Sequence, residues 1–145
     1  MKGVILAGGF GIRLRPLTNV LNKHLLPVYN KPMIYYPIET LKQAGIKDIL
    51  VITGTEHAGG VFALLGSGKQ FGVNFTFRVQ DEAGGIPQAI GLAEDFVGSD
   101  KFVSINGDNI LFDDIKPFVQ EFEKGNEKSR VLIYETTKEE AQKAG

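Results

Sequence analysis

The stretch Val4-Ile5-Leu6-Ala7-Gly8-Gly9-Phe10-Gly11 (VILAGGFG, residues 4–11) decides how this chain is built. Four consecutive apolar residues without polar alternation suit a short strand buried on both faces, as in parallel sheets covered by helices. The glycines that follow let the backbone turn sharply or approach another group closely. Ile12-Arg13-Leu14-Arg15-Pro16 then adds two permanent planar cations suited to phosphate. An anion held by backbone amides and backed by guanidinium charge fits these residues. An ordinary turn carrying two solvated arginines fits them as well.

The same kind of punctuation recurs outward from this stretch. Ile49–Thr53, Phe102–Ile105 and Val131–Tyr134 read as further continuous strands. Val73, Phe75, Phe77 and Val79 alternate with Asn74, Thr76, Arg78 and Gln80, the pattern of a half-exposed strand. Between the strands the apolar spacing becomes helical. Ile34, Ile38 and Leu41 predict a helix opened by Pro32, kinked at Pro37 and closed by Gly45. A short helix is expected around Val61, Leu64 and Leu65, ending at Gly66-Ser67-Gly68. Ile86, Ala89, Ile90, Ala93 and Val97 predict one helical stripe. Ile115, Phe118, Val119 and Phe122 predict another, capped by Asp113 or Asp114, and Thr137 with Glu140 forms a capping box for a last helix. Strands alternating with helices imply an α/β fold: a Rossmann-like, mostly parallel sheet with helices on both faces. No repeat, linker or low-complexity tract interrupts the chain, so residues 1–145 are expected to form one domain.

Composition narrows the function. Sixteen Lys and Arg stand against 17 Asp and Glu, a net charge of -1. That balance disfavours nucleic-acid binding, which calls for a basic face. Cysteine is absent, which removes thiolate metal sites, disulfides and a cysteine nucleophile, and fits a cytoplasmic location. No run is long and apolar enough to span a membrane, and the first strand is too short and too glycine-cut for a signal peptide. The 18 glycines exceed the ~7% of average usage and gather at the ends of apolar runs, where turns and ligand loops belong.

In a doubly wound sheet the ligand lies beyond the C-terminal ends of the strands. Attention therefore falls on residues 8–13, 54–57, 80–85 and 106–109. The first loop is not a Walker A motif, because no Gly-Lys-Ser/Thr follows. Nor is it a dinucleotide fingerprint: the third glycine is missing and Pro16 interrupts the helix that should begin. Asp108, at the end of a strand, suits a hard cation, since magnesium takes one or two carboxylates together with phosphate oxygens. Asn106-Gly107 is equally a hairpin signal, although a helical pattern follows it. The Gln80 amide offers a donor and an acceptor suited to the edge of a base, and also suits an exposed polar position. Lys23 precedes the apolar pair Leu25-Leu26. His24 and His57 have no matched metal-ligand partners and read as structural.

Four ordered blocks carry a broader resemblance. They are MKGVILAGGFGIRLRPLT (1–18), NKHLLPVYNKPMIYYPIETLKQAGIKDILVITG (22–54), VQDEAGGIPQAIGLAEDF (79–96) and NGDNILF (106–112). Together they closely resemble the sugar-1-phosphate nucleotidyltransferases, over essentially the whole chain. The resemblance implies a sheet of the nucleotide-diphospho-sugar transferase type. It implies a magnesium-dependent reaction in which a sugar 1-phosphate attacks the α-phosphorus of dTTP or UTP and pyrophosphate departs. Leu6, Gly8, Gly9 and Gly11 would then wrap the nucleotide. Arg13 would bind the triphosphate and steady the leaving pyrophosphate, and Lys23 would neutralise charge near the α-phosphate. Asp108 would ligate magnesium, and Gln80 and Gly85 would contact the base. Phosphoryl transfer needs positioning and positive charge rather than a covalent nucleophile, which agrees with the residues present.

The chain departs from the family in three ways. Ile12 replaces a small hydroxyl residue, which is expected to weaken triphosphate binding. Asn106 replaces an apolar residue. The family also continues beyond the point matching Gly145, with a second magnesium aspartate and much of the sugar site, so the chain resembles an N-terminal portion. Apolar surface left uncovered by that shortness would favour association of copies. A non-catalytic nucleotide-binding module is the competing reading. A dehydrogenase-like dinucleotide domain is disfavoured, because no acidic residue stands at a strand end about 20 positions after the glycines.

Overall fold

The computed structural model describes residues 1–82, 84–133 and 135–139. In chain order its strands are β1 (Lys2–Ala7), β2 (Pro27–Val28), β3 (Lys31–Pro32), β4 (Asp48–Gly54), β5 (Asn74–Gln80) and β6 (Phe102–Asn106). The α-helices are α1 (Tyr35–Gln43), α2 (Ala58–Leu65), α3 (Gly85–Gly91), α4 (Glu94–Val97) and α5 (Lys116–Lys124). Four strands form one sheet in the order β5-β4-β1-β6, all parallel, and β2 and β3 pair as a small antiparallel hairpin. The expected Rossmann-like sheet is thus present. Its strand ends coincide: Ala7 lies beside Thr53, Gly54 beside Gln80, and Leu6 beside Asn106. The chain builds outward from β1 through β4 to β5, then returns to place β6 on the other side of β1. The topological switch point therefore lies between β1 and β6.

The continuous apolar runs are explained by helices on both faces. On one face Ile5, Ile49 and Val51 meet Ile38 and Leu41 of α1 and Val61 and Leu65 of α2. On the other face Val4, Leu50 and Ile52 meet Ala89 of α3, then Ala93 and Val97. Successive strand residues point to opposite sides, so Val4 and Ile5 serve different cores. Each fully buried Ile, Leu or Val contributes about 1.5–3 kcal/mol. At the N-terminal edge of the sheet two lysines terminate helices. Lys2 Nζ donates to the carbonyls of Phe96 and Val97 at the end of α4, and Lys101 Nζ donates to those of Phe122 and Gly125 at the end of α5. Cations at helix C-termini complement the orphan carbonyls and the macrodipole.

Several local expectations need correction. Pro32 belongs to β3 rather than opening α1, which begins at Tyr35. Pro37 falls in the first turn of α1, where its missing N–H has no intrahelical partner to lose, so it produces no kink. The stripe from Ile86 to Val97 is two helices, because the chain tightens at Leu92, whose N–H reaches the carbonyls of both Gln88 and Ala89. Ile86 lies exposed at its start. The run Val131–Ile133 is not a strand. Val131 and Ile133 are 79% and 89% exposed, and the preceding Arg130 is tied to Glu121 of α5 and to Glu127. An apolar run becomes a strand only when a sheet edge meets it. Tyr134 and Glu140, and with Glu140 the capping box, lie outside the described residues. The N-cap of α5 is Ile115 rather than Asp113 or Asp114, although the Asp114 carboxylate, one position earlier, accepts from the Lys116 N–H.

Candidate nucleotide site

The loop after β1 is shaped by what crowds it. At Gly8 a Cβ would stand 2.6 Å from Gln80 Oε1, so a side chain there would have to displace the Gln80 amide. Gly11 takes a positive φ of 62°, and a Cβ on it would lie 2.8 Å from Thr18 Cγ2. The backbone conformation at Gly11 favours glycine. The Thr18 hydroxyl donates to the Gly11 carbonyl at 2.9 Å, which fastens the turn Ile12–Leu14 that carries Arg13. Arg13 is exposed and has no ion-pair partner among the described residues. An open cleft of about 450 Å³ lies alongside, lined by Phe10, Arg15, Thr18, Asn19, Glu56 and His57. Arg15, beside Pro16, is thus part of the cleft wall. His57 adopts a positive φ of 60° there, at the start of α2.

Beneath the loop, at the switch point, sits a charged pair. Lys23 Nζ meets Asp108 Oδ2 at 2.5 Å. The Lys23 stem also lies against Gly9 and Gly11, where added Cβ atoms would stand 3.4 Å from its Cε and 3.0 Å from its Cβ. Burial opposes ionisation of Asp108, but the hydrogen bond and charge of Lys23 outweigh it and hold the carboxyl below the usual carboxylate range. Asp108 sits within the turn Asn106–Asn109, in which the Asn109 N–H reaches the Asn106 carbonyl. This turn leads into α5, not into a hairpin partner.

Lys23 is positioned by its buried neighbours. Asn22 Oδ1 accepts from the His24 N–H at 2.9 Å and lies 2.6 Å from His24 Nδ1. An oxygen that already accepts from a backbone N–H must accept from the ring as well, so the proton sits on Nδ1. Asn22 Nδ2 donates to the Ala7 carbonyl at the end of β1. Burial, then the nearby Lys23 charge, lowers the His24 pKa to about 4, so the ring is neutral at pH 7. Gly107 packs directly on this ring, and a Cβ there would stand 2.7 Å from His24 Cδ2. His24 is structural, as its lack of metal partners suggested.

On the far side of Gly8, Gln80 ends β5 with only 8% of its surface exposed. Its Nε2 donates to Gln88 Oε1 at 2.6 Å and faces the Gly85 carbonyl at 3.5 Å. The structure therefore gathers Leu6, Gly8, Gly9, Gly11, Lys23, Gln80, Gly85 and Asp108 at the C-terminal edge of the sheet, with Arg13 on the exposed turn above. Sequence reasoning passed over Asn22, Thr18 and Gln88. Asn22 had a signal, an Asn immediately before a helical turn. Gln88 had none, because its partner is eight residues away across a loop.

Among the described residues no three His, Cys, Asp or Glu side chains cluster as a metal site. Asp108 alone suits magnesium that brings phosphate oxygens as its remaining ligands. A doubly wound sheet with a glycine loop, a lysine–carboxylate pair and a buried amide at its C-terminal edge belongs to the class of α/β proteins that bind ligands at their strand ends.

The comparisons agree with this class and sharpen it. The family described as nucleotidyl transferase matches residues 2–145, and the chain belongs to that family. It is 50% identical over 112 residues to glucose-1-phosphate thymidylyltransferase of Neisseria meningitidis, covering 77% of this chain and 39% of that protein. It is 45% identical over 135 residues to the low-salt glycan biosynthesis nucleotidyltransferase Agl11 of Haloferax volcanii, covering 93% of this chain and 38% of that protein. A Bacillus anthracis protein assigned as a glucose-1-phosphate thymidylyltransferase and crystallised with sucrose superposes with a TM-score of 0.82 at 64% identity. That match covers 84% of this chain and 50% of the other. A UDP-glucose pyrophosphorylase bound to UDP-glucose shares the fold, with a TM-score of 0.69 at 24% identity. The chain thus spans about two-fifths of the curated relatives it matches.

Proposed function

We propose that this chain provides the nucleotide-binding part of a glucose-1-phosphate thymidylyltransferase, which joins dTTP to glucose 1-phosphate and releases pyrophosphate. The observation that carries the reading is the convergence, on the loop Gly8–Gly11, of a buried amide at Gly8 and of a lysine–carboxylate pair whose lysine lies against Gly9 and Gly11. In the reaction a phosphate oxygen of glucose 1-phosphate forms a bond to the α-phosphorus. The bond from that phosphorus to the bridging oxygen breaks, giving dTDP-glucose and pyrophosphate. The glycines of the loop Gly8–Gly11 would let its backbone approach the triphosphate closely. Arg13, exposed and without an ion-pair partner among the described residues, would bind the triphosphate and take up the charge of departing pyrophosphate. Lys23 neutralises charge at the α-phosphate, and Gln80 with Gly85 meets the base. Magnesium, held by Asp108 and phosphate oxygens, would supply further charge neutralisation.

UTP presents the same hydrogen-bonding edge as dTTP and lacks only a methyl group, so both belong in the test. Calorimetric titration of the chain with dTTP, UTP and ATP in magnesium is expected to show binding of the two pyrimidine nucleotides and weak or no binding of ATP. Preference for ATP, or no binding of any of the three, would overturn the reading. Pyrophosphate release on adding glucose 1-phosphate then measures whether this chain alone completes the reaction.

A further inference from the structure

We propose that Gln88 is a positioning residue: it fixes the amide of Gln80 so that the carbonyl, not the NH₂, faces the nucleotide loop. The site then selects a base that offers a ring N–H. The proposal rests on the nucleotide reading above and adds the device that gives it direction.

The argument starts from two backbone groups whose polarity cannot be exchanged. The Gly84 N–H donates to Gln88 Oε1 at 2.9 Å, so the atom Gln88 turns toward Gly84 must be its oxygen. That same oxygen receives Gln80 Nε2 at 2.6 Å. The Gly85 carbonyl, an obligatory acceptor, lies 3.5 Å from the same Nε2. Both neighbours of Nε2 are therefore acceptors, and a flipped Gln80 amide would set oxygen against oxygen. With Nε2 committed, Oε1 is left facing Gly8, where a Cβ would stand 2.6 Å from it. Among the described residues no donor meets that oxygen, yet it is not sealed off as an unsatisfied buried atom. It is a free acceptor of fixed direction at the edge of the loop.

The chemistry of the bases follows. Thymine and uracil carry a donor, N3–H, between two carbonyls, whereas cytosine carries an N3 lone pair at the same place. An acceptor that cannot turn pairs with the first and opposes the second. Freed from Gln88, Gln80 could rotate its amide and offer a donor to cytosine, and discrimination would fall. Gln88 touches neither base nor phosphate in this account and acts only through Gln80.

The test measures binding of dTTP and dCTP, with magnesium, to the wild-type chain, Gln88→Leu and Gln88→Glu. Wild type is expected to favour dTTP over dCTP by about tenfold or more, the cost of leaving a buried hydrogen-bonding group unpaired. Gln88→Leu, which removes the acceptor, is expected to bring that ratio close to unity. Gln88→Glu, which still accepts from both Gly84 and Gln80, is expected to keep the ratio. In the same variant the Gln80 side-chain amide protons should move downfield in NMR as their acceptor becomes charged. An unchanged ratio in Gln88→Leu, equal loss in Gln88→Glu, or unmoved Gln80 amide signals would overturn the proposal. If Gln88→Leu does not fold, the ratio and amide signals of Gln88→Glu decide. A wild-type chain that binds neither nucleotide overturns the nucleotide reading instead, and the NMR comparison then decides by itself whether Gln88 holds the amide.

Discussion

The two sides of the loop after β1 are made of different materials. Toward β6 stand Lys23 and Asp108, a charge pair resting on a buried neutral histidine and asparagine. Toward β5 stand Gln80, Gln88 and the backbone of Gly84 and Gly85, without a single titratable group in the network. Charges act over distance and tolerate misalignment, which suits neutralising a phosphate chain. Amides act only along their hydrogen-bond directions, which suits telling one base from another. Under the proposed function the two sides would divide the labour: one would supply affinity for any triphosphate, the other choice among bases.

If the division is real, the largest effect should come from the phosphate side and be blind to the base. Arg13→Ala is expected to lower the rate of pyrophosphate release about 10³-fold, for dTTP and UTP alike. A coupled pyrophosphate assay in any active form of the protein measures this. A change in the ratio between nucleotides would break the comparison.

The second test uses pH, to which only the charged side should respond. His24 has its folded pKa lowered to about 4 from 6.5. Between those values the unfolded chain binds the proton and the folded chain does not, so stability falls as pH drops from 6.5 to 4 and the loss is complete below 4. A shift of that size corresponds to about 3 kcal/mol. The Asp108 carboxyl, also lowered, contributes stability above the ordinary carboxylate range that is lost only as pH falls through its folded value. Urea unfolding from pH 7 to pH 4 should therefore show the drop in wild type and a much flatter curve in His24→Gln. An equal drop in both would move its origin elsewhere.

The smallest effect belongs to the base side. Gln80→Leu is expected to weaken dTTP binding about tenfold while leaving the affinity for inorganic tripolyphosphate unchanged, since one directional hydrogen bond is lost and no charge is. Calorimetry with both ligands checks it. Equal weakening of both would show that Gln80 supports the loop as a whole.

Much of this arrangement was legible in the residue order, for identifiable reasons. The runs Val4–Ala7 and Ile49–Thr53 read as doubly buried strands because both faces of the sheet are covered, so no polar alternation disguises them. The glycines, Gln80 and Asp108 could be singled out because each ends a strand or follows one, and Lys23 because its block resembles the family. What stayed hidden depends on contacts made across the chain. Val131–Ile133 has the composition of a strand but no edge beside it. Pro37 reads as a kink until the helix start is known to fall at Tyr35. Gln88 looks like any surface residue on a helix until Gly84 and Gln80 are brought against it. Arg15 sits two residues from Arg13, and spacing alone does not say which of the two lines the cleft.

The lysines at the opposite edge of the sheet have a consequence of their own. Lys2 and Lys101 each point an ammonium group at helix-end carbonyls, far along the strands from the loops that would receive a nucleotide. Their charge is already spent on the protein's own backbone, so a polyanion arriving there finds occupied cations. Acylating either amine would leave those carbonyls facing an uncharged amide and loosen the foot of the sheet, without altering a single group at its mouth. The strands β1 and β6 thus join two electrical environments that can be modified independently, one that quiets the fold's own dipoles and one that remains open to another molecule's charge.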